Sequence, residues 1–295
     1  MTLLEARHTT AMNLRSLLEH ATVVLTAARV PSPEADAELL IAHVLGISRG
    51  QVQAKAVTGS MLDAEHRHAV LELVERRAAR EPLQHLTGRA AFRSLELAVG
   101  PGVFVPRPET EFVAQLAIDA LLAVPGGAPR AADLGTGSGA IALALATEVP
   151  HAEVHAVENS PRAFIWAREN ARAVGAPNLR LVFADLADAL PDLDGTLDVV
   201  VSNPPYIPAG AIPRDPEVRL HDPEAALYGG ADGLDVVRAV SVTARRLLRP
   251  GGVLVLEHGE LQGADIRQLL TADGWAAAAT TRDLLGRDRA THALR

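Results

Sequence analysis

From residue 131 onward the chain alternates short apolar strand patterns with helical ones, and that alternation decides which class of fold it can adopt. The strand patterns cover residues 131–134, 154–158, 179–183, 197–202 and 253–257, with helical patterns over 140–147, 161–174 and 233–248 between them. A helix that follows each strand returns the chain parallel to it. The expected architecture is therefore α/β, a mostly parallel Rossmann-like sheet with helices on both faces. Ligands of such sheets bind beyond the carboxyl ends of the strands, near the point where strand order reverses.

Two motifs stand at such ends. Asp133-Leu134-Gly135-Thr136-Gly137-Ser138-Gly139 closes the first strand, and its small residues let a ligand approach the backbone. Glu158 ends the second strand about 20 residues later, where a carboxylate accepts both hydroxyls of a ribose. Dinucleotide and S-adenosylmethionine sites share this pair. The spacing Gly-x-Gly-x-Gly differs from the pyrophosphate fingerprint Gly-x-Gly-x-x-Gly, which favours the methyl donor. Asp133 also stands where the donor's ammonium group would need a carboxylate, and no hydride-transfer constellation follows. Asp185, after strand 179–183, suits either the adenine amino group or an N-cap, with Leu186 packing on the ring in the first case. Asp235, Arg238, Glu257 and His258 have weaker claims.

The second motif, Asn203-Pro204-Pro205-Tyr206, closes the apolar run Leu197-Asp198-Val199-Val200-Val201-Ser202. The residue before a proline is pushed to an extended conformation, and both prolines have fixed φ and no N–H. The corner is therefore stiff and offers two acceptors, the Asn203 side-chain oxygen and the Pro204 carbonyl. They suit an amide or aryl NH2, and Tyr206 supplies a flat face for a planar substrate. Asn203, Pro204 and Tyr206 are the expected catalytic residues, with Pro205 completing the substrate corner.

At 295 residues the chain exceeds the usual single domain. Residues 1–82 carry helical patterns and no strand-like run. Leu14, Leu17, Leu18, Ala21 and Leu25 fall at helical spacing, Ser32-Pro33 reads as a helix start, Gly46 as a stop, and Asp63 as the cap of a long helix. Residues 83–108 read as a β-hairpin linker that includes Val103-Phe104-Val105, and residues 109–295 as the cofactor domain. The net charge of −8, with Lys55 the sole lysine among 28 basic residues, argues against a large duplex-binding surface. The absence of cysteine excludes disulfides, thiolate metal sites and cysteine nucleophiles. The histidine pairs His66/His68 and His151/His155 read as solvated surface groups, so no metal is expected. With no apolar run of membrane-spanning length, the expected location is the cytoplasm.

The chain resembles the HemK/PrmC-type peptide chain release factor glutamine N5-methyltransferases over nearly its whole length. The residues that carry the resemblance are Val103-Phe104-Val105-Pro106-Arg107-Pro108-Glu109-Thr110-Glu111, the run 133–146, Asn203 to Tyr206, the stretch Leu227-Tyr228-Gly229-Gly230-Ala231-Asp232-Gly233-Leu234, and the closing Asp283-Leu284-Leu285-Gly286-Arg287-Asp288-Arg289. The Pro-Arg-Pro-Glu-Thr-Glu segment discriminates, because many adenine methyltransferases share Asn-Pro-Pro-Tyr. The resemblance implies that Gly135 to Gly139, Glu158 and Asn203 contact S-adenosylmethionine and that Asn203 to Tyr206 hold a glutamine of class I release factors. It also implies that the N-terminal helices recognise that protein. Two positions depart from the family pattern: Leu186 replaces a frequent aromatic, and His258 replaces a small apolar residue.

An amide nitrogen is a weak nucleophile, and no strong base is expected beside Asn203. Catalysis would rest on aligning the NH2 with the donor methyl and on preset acceptors. The rival readings are a nucleic-acid adenine N6-methyltransferase, a ribosomal-protein glutamine methyltransferase, and a non-catalytic cofactor-binding scaffold. The first needs a basic groove for a flipped base, which the charge disfavours.

Overall fold

A computed structural model describes residues 13–295, which divide into two compact units. The first holds the described residues through Gly88. Its helices are α1 (Leu14–Ala27), α2 (Pro33–Leu45), α3 (Arg49–Val57), α4 (Ala64–Ala78) and α5 (Leu83–Thr87). Local chemistry sets their ends. Asn13 caps α1 by accepting from Ser16 N, Ser48 and Gln51 form a capping box on α3, and Asp63 caps α4 through His66 N. Ser32 precedes α2 without a side-chain cap bond, and Gly46 ends that helix in the left-handed conformation. Leu14, Leu17, Ala21 and Leu25 form the buried stripe of α1, packed with Leu40, Ile41, Val52 and Val70.

The second unit opens with a hairpin of β1 (Arg89–Phe92) and β2 (Leu95–Ala98), followed by α6 (Pro108–Leu122). The hairpin is shorter than the linker read from the sequence. Gln84 lies in α5, and Val103 and Val105 are buried loop residues, packed with Ala90, Val99 and Ala163 and unpaired to any strand. Then follow β3 (Arg130–Leu134), α7 (Ala140–Glu148), β4 (Glu153–Glu158), α8 (Pro161–Val174), β5 (Leu179–Phe183), β6 (Leu197–Ser202), α9 (Pro216–His221), α10 (Asp235–Leu247), β7 (Leu248–Glu257), α11 (Gly263–Ala272), β8 (Ala276–Arg282) and β9 (Asp288–Leu294). The sheet runs β5-β4-β3-β6-β7-β9-β8. Its first five strands are parallel, and β9 enters antiparallel between β7 and β8. Two apolar layers cover the two faces, one built on α6 and α7, the other on α10 and α11.

Burial on both faces explains one departure from expectation. His155 is 5% exposed and is not a solvated surface group. It lies within β4, all but one of whose residues are buried, beside Glu153, and burial holds its pKa below the usual histidine value.

Helix α9 lies within the stretch read as the cofactor domain, yet Asp215–His221 belongs to the first unit. The reason is electrostatic. Arg77, 5% exposed, donates to Asp36 at 2.8 Å and pairs with Glu217 at 2.8 Å, while Arg80 Nε donates to the same Glu217 at 2.8 Å. Burial alone would raise the Glu217 pKa, but Arg80 and Arg77 bond its carboxylate and hold it well below the ordinary value.

Candidate active site

The strand order brings the motifs together. β3 lies between β4 and β6, so the glycine turn after β3, Glu158 at the end of β4 and Asn203 just beyond β6 all open on one edge of the sheet. The strand order reverses between β3 and β6, which is the expected ligand crevice. The Ser202 hydroxyl donates to Leu134 O at 2.6 Å and pins the two strand ends to each other.

Gly135, Gly137 and Gly139 all have positive φ, so L side chains there would be strained; open space surrounds the Cβ positions of Gly135 and Gly137. Two acids shape this turn from within. Asp133 Oδ2 accepts from the Thr136 hydroxyl at 2.6 Å and from Ala142 N at 3.1 Å, while its buried Oδ1 has no hydrogen-bond partner. Burial pushes the Asp133 carboxyl up to about 7, against the pull of those two bonds. Glu158, 7% exposed, accepts Gly137 N through Oε2 and Ser160 N through Oε1, each at 2.8 Å. Burial raises its pKa as well. Ser138 is buried, and its carbonyl accepts from the buried Asn170 amide.

Asp185 is exposed. Its Oδ1 accepts Ala187 N at 3.1 Å, an Asx turn rather than a helix cap, and its Oδ2 accepts from Asn159, the residue after Glu158. Leu186 is half-buried at the edge of the α10–α11 apolar layer. Asp235 and Arg238 form an exposed network with Asp232.

The Asn203–Tyr206 corner is braced from three directions. Gln262 donates to Tyr206 O at 2.9 Å. Ile207 N donates to Leu227 O and Gly229 N returns a bond to Ile207 O, so the Leu227–Leu234 segment runs alongside the corner. A Cβ at Gly229 would stand 2.5 Å from Pro205 O, which is why the close approach needs glycine there. The third brace is the Pro-Arg-Pro-Glu-Thr-Glu segment at the start of α6. Thr110 Oγ1 accepts from Asn203 Nδ2 at 3.3 Å, Arg107 pairs with Asp222 at 2.6 Å, and Glu109 accepts from Arg287 of the closing motif at 3.0 Å.

Sequence reasoning gave Glu257 only a weak claim, because its place beside Asn203 depends on strand order. Glu257, 2% exposed, is buried next to Thr110 and Asn203 with its Oε2 unpartnered, and burial pushes its carboxyl up to about 7. Its neighbour His258 faces away. Nδ1 donates to Gly259 O at 2.8 Å, which leaves the neutral ring's Nε2 to accept from Thr291 at 2.9 Å. Burial lowers the His258 pKa, and its ring and backbone N–H bond Thr291 and Arg289 on β9. Among the described residues no cluster of three or more His, Cys, Asp or Glu is arranged to hold a metal, and no helix is long and apolar enough to cross a membrane.

Known proteins resemble this chain in sequence and in fold. Residues 16–88 match the PrmC N-terminal domain family and residues 94–214 the methyltransferase small domain family. The chain is 52% identical to a release factor glutamine methyltransferase of Streptomyces coelicolor, covering 91% of this chain and 93% of that one. It is 48% identical to one of Mycolicibacterium smegmatis, over 96% and 98% of the two chains. It is also 42% identical to a 4-amino-L-phenylalanine/4-methylamino-L-phenylalanine methyltransferase of Streptomyces pristinaespiralis, over 92% and 91%. Among solved structures, a Thermus thermophilus 16S rRNA N2 G1207 methyltransferase in complex with AdoMet and guanosine superposes with a TM-score of 0.52 at 25% identity, covering 70% of this chain and 49% of that one. A methyltransferase from Pyrococcus furiosus shares the fold at a TM-score of 0.50, over 69% and 90% of the two chains. By sequence, domain content and fold, the chain belongs to the release factor glutamine methyltransferase family.

Proposed function

We propose that this protein transfers a methyl group from S-adenosylmethionine to the side-chain amide nitrogen of a glutamine in the Gly-Gly-Gln loop of class I peptide chain release factors, and so modulates translation termination. The observation that carries the reading is the Asn203-Pro204 corner beside the glycine turn, braced by the Pro-Arg-Pro-Glu-Thr-Glu segment through Thr110. The residues present fit the cofactor. Glu158 keeps lone pairs on both oxygens for a ribose, the unpartnered Asp133 Oδ1 awaits a donor, and the turn at Gly135 and Gly137 leaves room for the ligand. Asp185 and Leu186 would border the adenine.

S-adenosylmethionine, when bound, supplies an electrophilic methyl on a sulfonium. The chain's own residues supply alignment. Asn203 Oδ1 and Pro204 O accept the two hydrogens of the substrate NH2, which fixes the plane of the amide. Tyr206 presents its ring to that plane, and burial raises its phenol's pKa, so the hydroxyl stays protonated. Placement and preset dipoles of this kind supply most of the acceleration expected at such a site.

The same two acceptors also suit an aryl NH2, and the Streptomyces pristinaespiralis relative is named for such a substrate. Labelled S-adenosylmethionine should therefore be offered with a release factor, 4-amino-L-phenylalanine, ribosomal protein, DNA and RNA in parallel. The expected result is one methyl on the release factor glutamine side chain, located by mass spectrometry. Incorporation into another substrate, with none into the release factor, refutes the reading.

A further inference from the structure

We propose that Thr110 and Glu257 are positioning residues that set which way the Asn203 carboxamide faces, so that its oxygen rather than its NH2 meets the substrate. This deepens the functional reading above and rests on it for the identity of the substrate. A carboxamide is nearly symmetric in shape, and a flipped Asn203 would present two donors to a substrate that itself brings two donors. Something must forbid the flip. An ionised carboxylate only accepts hydrogen bonds. Glu257 is buried beside Thr110 and Asn203, next to Leu256, which pairs with Ser202 across β6 and β7, and its Oε2 has no hydrogen-bond partner. A charged Glu257 this close draws the Thr110 hydroxyl hydrogen toward itself, so that Thr110 Oγ1 turns its lone pairs to Asn203. Nδ2 stands 3.3 Å from that oxygen. Both neighbours then demand NH2, and Oδ1 is left on the side of the corner.

Protonation of Glu257 removes the demand. A carboxylic acid donates as well as accepts, so Thr110 is free to turn its hydrogen toward Asn203, and either orientation of the amide is satisfied. The charged and titratable groups around Glu257 are Glu109 at the start of α6, Tyr206 after β6 and Arg289 on β9. Arg107 and Arg287 stand behind them, paired with Asp222 and Glu109. Burial outweighs Arg289 and places the Glu257 transition at about 7, so the orienting form prevails above neutrality and fades below it.

The test compares Thr110→Val, Thr110→Ser and Glu257→Gln with the parent protein. Each variant is first checked for an unchanged melting temperature and S-adenosylmethionine affinity. The expected result is a kcat about tenfold lower or more in Thr110→Val and Glu257→Gln, typical for losing a preset polar contact. KM for the release factor should hold, and Thr110→Ser should recover most of the rate. The parent kcat should rise through pH 7, and Glu257→Gln should lose that inflection. Independently of any substrate, the Asn203 side-chain amide NMR signals, assigned by their loss in Asn203→Asp, should titrate near pH 7 in the parent and stay flat in Glu257→Gln. Parent-like kcat and pH profile in Glu257→Gln, or amide signals that ignore pH in the parent, overturn the proposal. A parent protein that leaves the release factor unmethylated while its amide signals titrate refutes the functional reading and sustains this one.

Discussion

Glu158 Oε2 accepts the backbone N–H of Gly137 at 2.8 Å, so the carboxylate that ends β4 and the glycine turn that ends β3 are one hydrogen-bonded unit. The group proposed to bind the ribose and the glycine turn are held in register by this bond, and a change at either should be felt at both.

Glu158→Ala should weaken S-adenosylmethionine binding by about 1–3 kcal/mol, the scale of charge-assisted hydrogen bonds. Calorimetry measures this directly. Unchanged affinity would remove Glu158 from the cofactor site.

Asn203→Ala should leave the fold intact, because the residue follows the last residue of β6 and is only half-buried. The rate should fall by more than a factor of ten, above about 1.4 kcal/mol of barrier. Circular dichroism alongside single-turnover rates separates the two effects, and a variant that keeps over a tenth of the rate would show that its side chain does not orient the nucleophile.

Gly229→Ala should cost stability and rate together, since the new methyl would meet Pro205 O and Gly233 O at 2.5 and 2.6 Å. Overpacking of this kind costs about 1–3 kcal/mol. Gly210→Ala, with no neighbour within 4 Å, is the matched control and should melt with the parent.

Glu217→Ala strips Arg77 and Arg80 of a shared buried partner and should destabilise the helical unit by about 3–5 kcal/mol. The pH dependence follows from the sign of the shift. The folded-state pKa of Glu217 is depressed, so its contribution is full above the unfolded carboxylate value and is lost as pH falls toward the folded one. Denaturant melts at pH 7 and pH 3 should show the variant's deficit shrinking in acid. The same network makes truncation at residue 82 a poor probe of substrate recognition, because it would leave Glu217 without both arginines.

Local rules made much of this chain legible. Strand and helix periods declared the α/β alternation, and the glycines declared a tight turn after β3, because each of these depends on residues close in sequence. The helix caps at Asp63 and Gly46 were readable for the same reason. What depends on strand order was not readable. The alanine- and threonine-containing segments that form β8 and β9 lack the β-branched apolar run of a strand such as β6, since β8 is an edge and β9 gains its place by pairing with β7. His155 looked solvated because a strand buried on both faces leaves no polar side to reveal it. Asp215–His221 joined the helical unit through ion pairs with residues about 140 positions earlier. Glu257 became a neighbour of Asn203 and Thr110 only because β7 lies beside β6 and α6 packs against both strands. Sequence by itself determined which groups the chain owns and how each short segment turns. Tertiary structure alone decided which carboxylate was buried beside the Asn203 amide, because burial and proximity across the sheet are set by strand order and not by any local period.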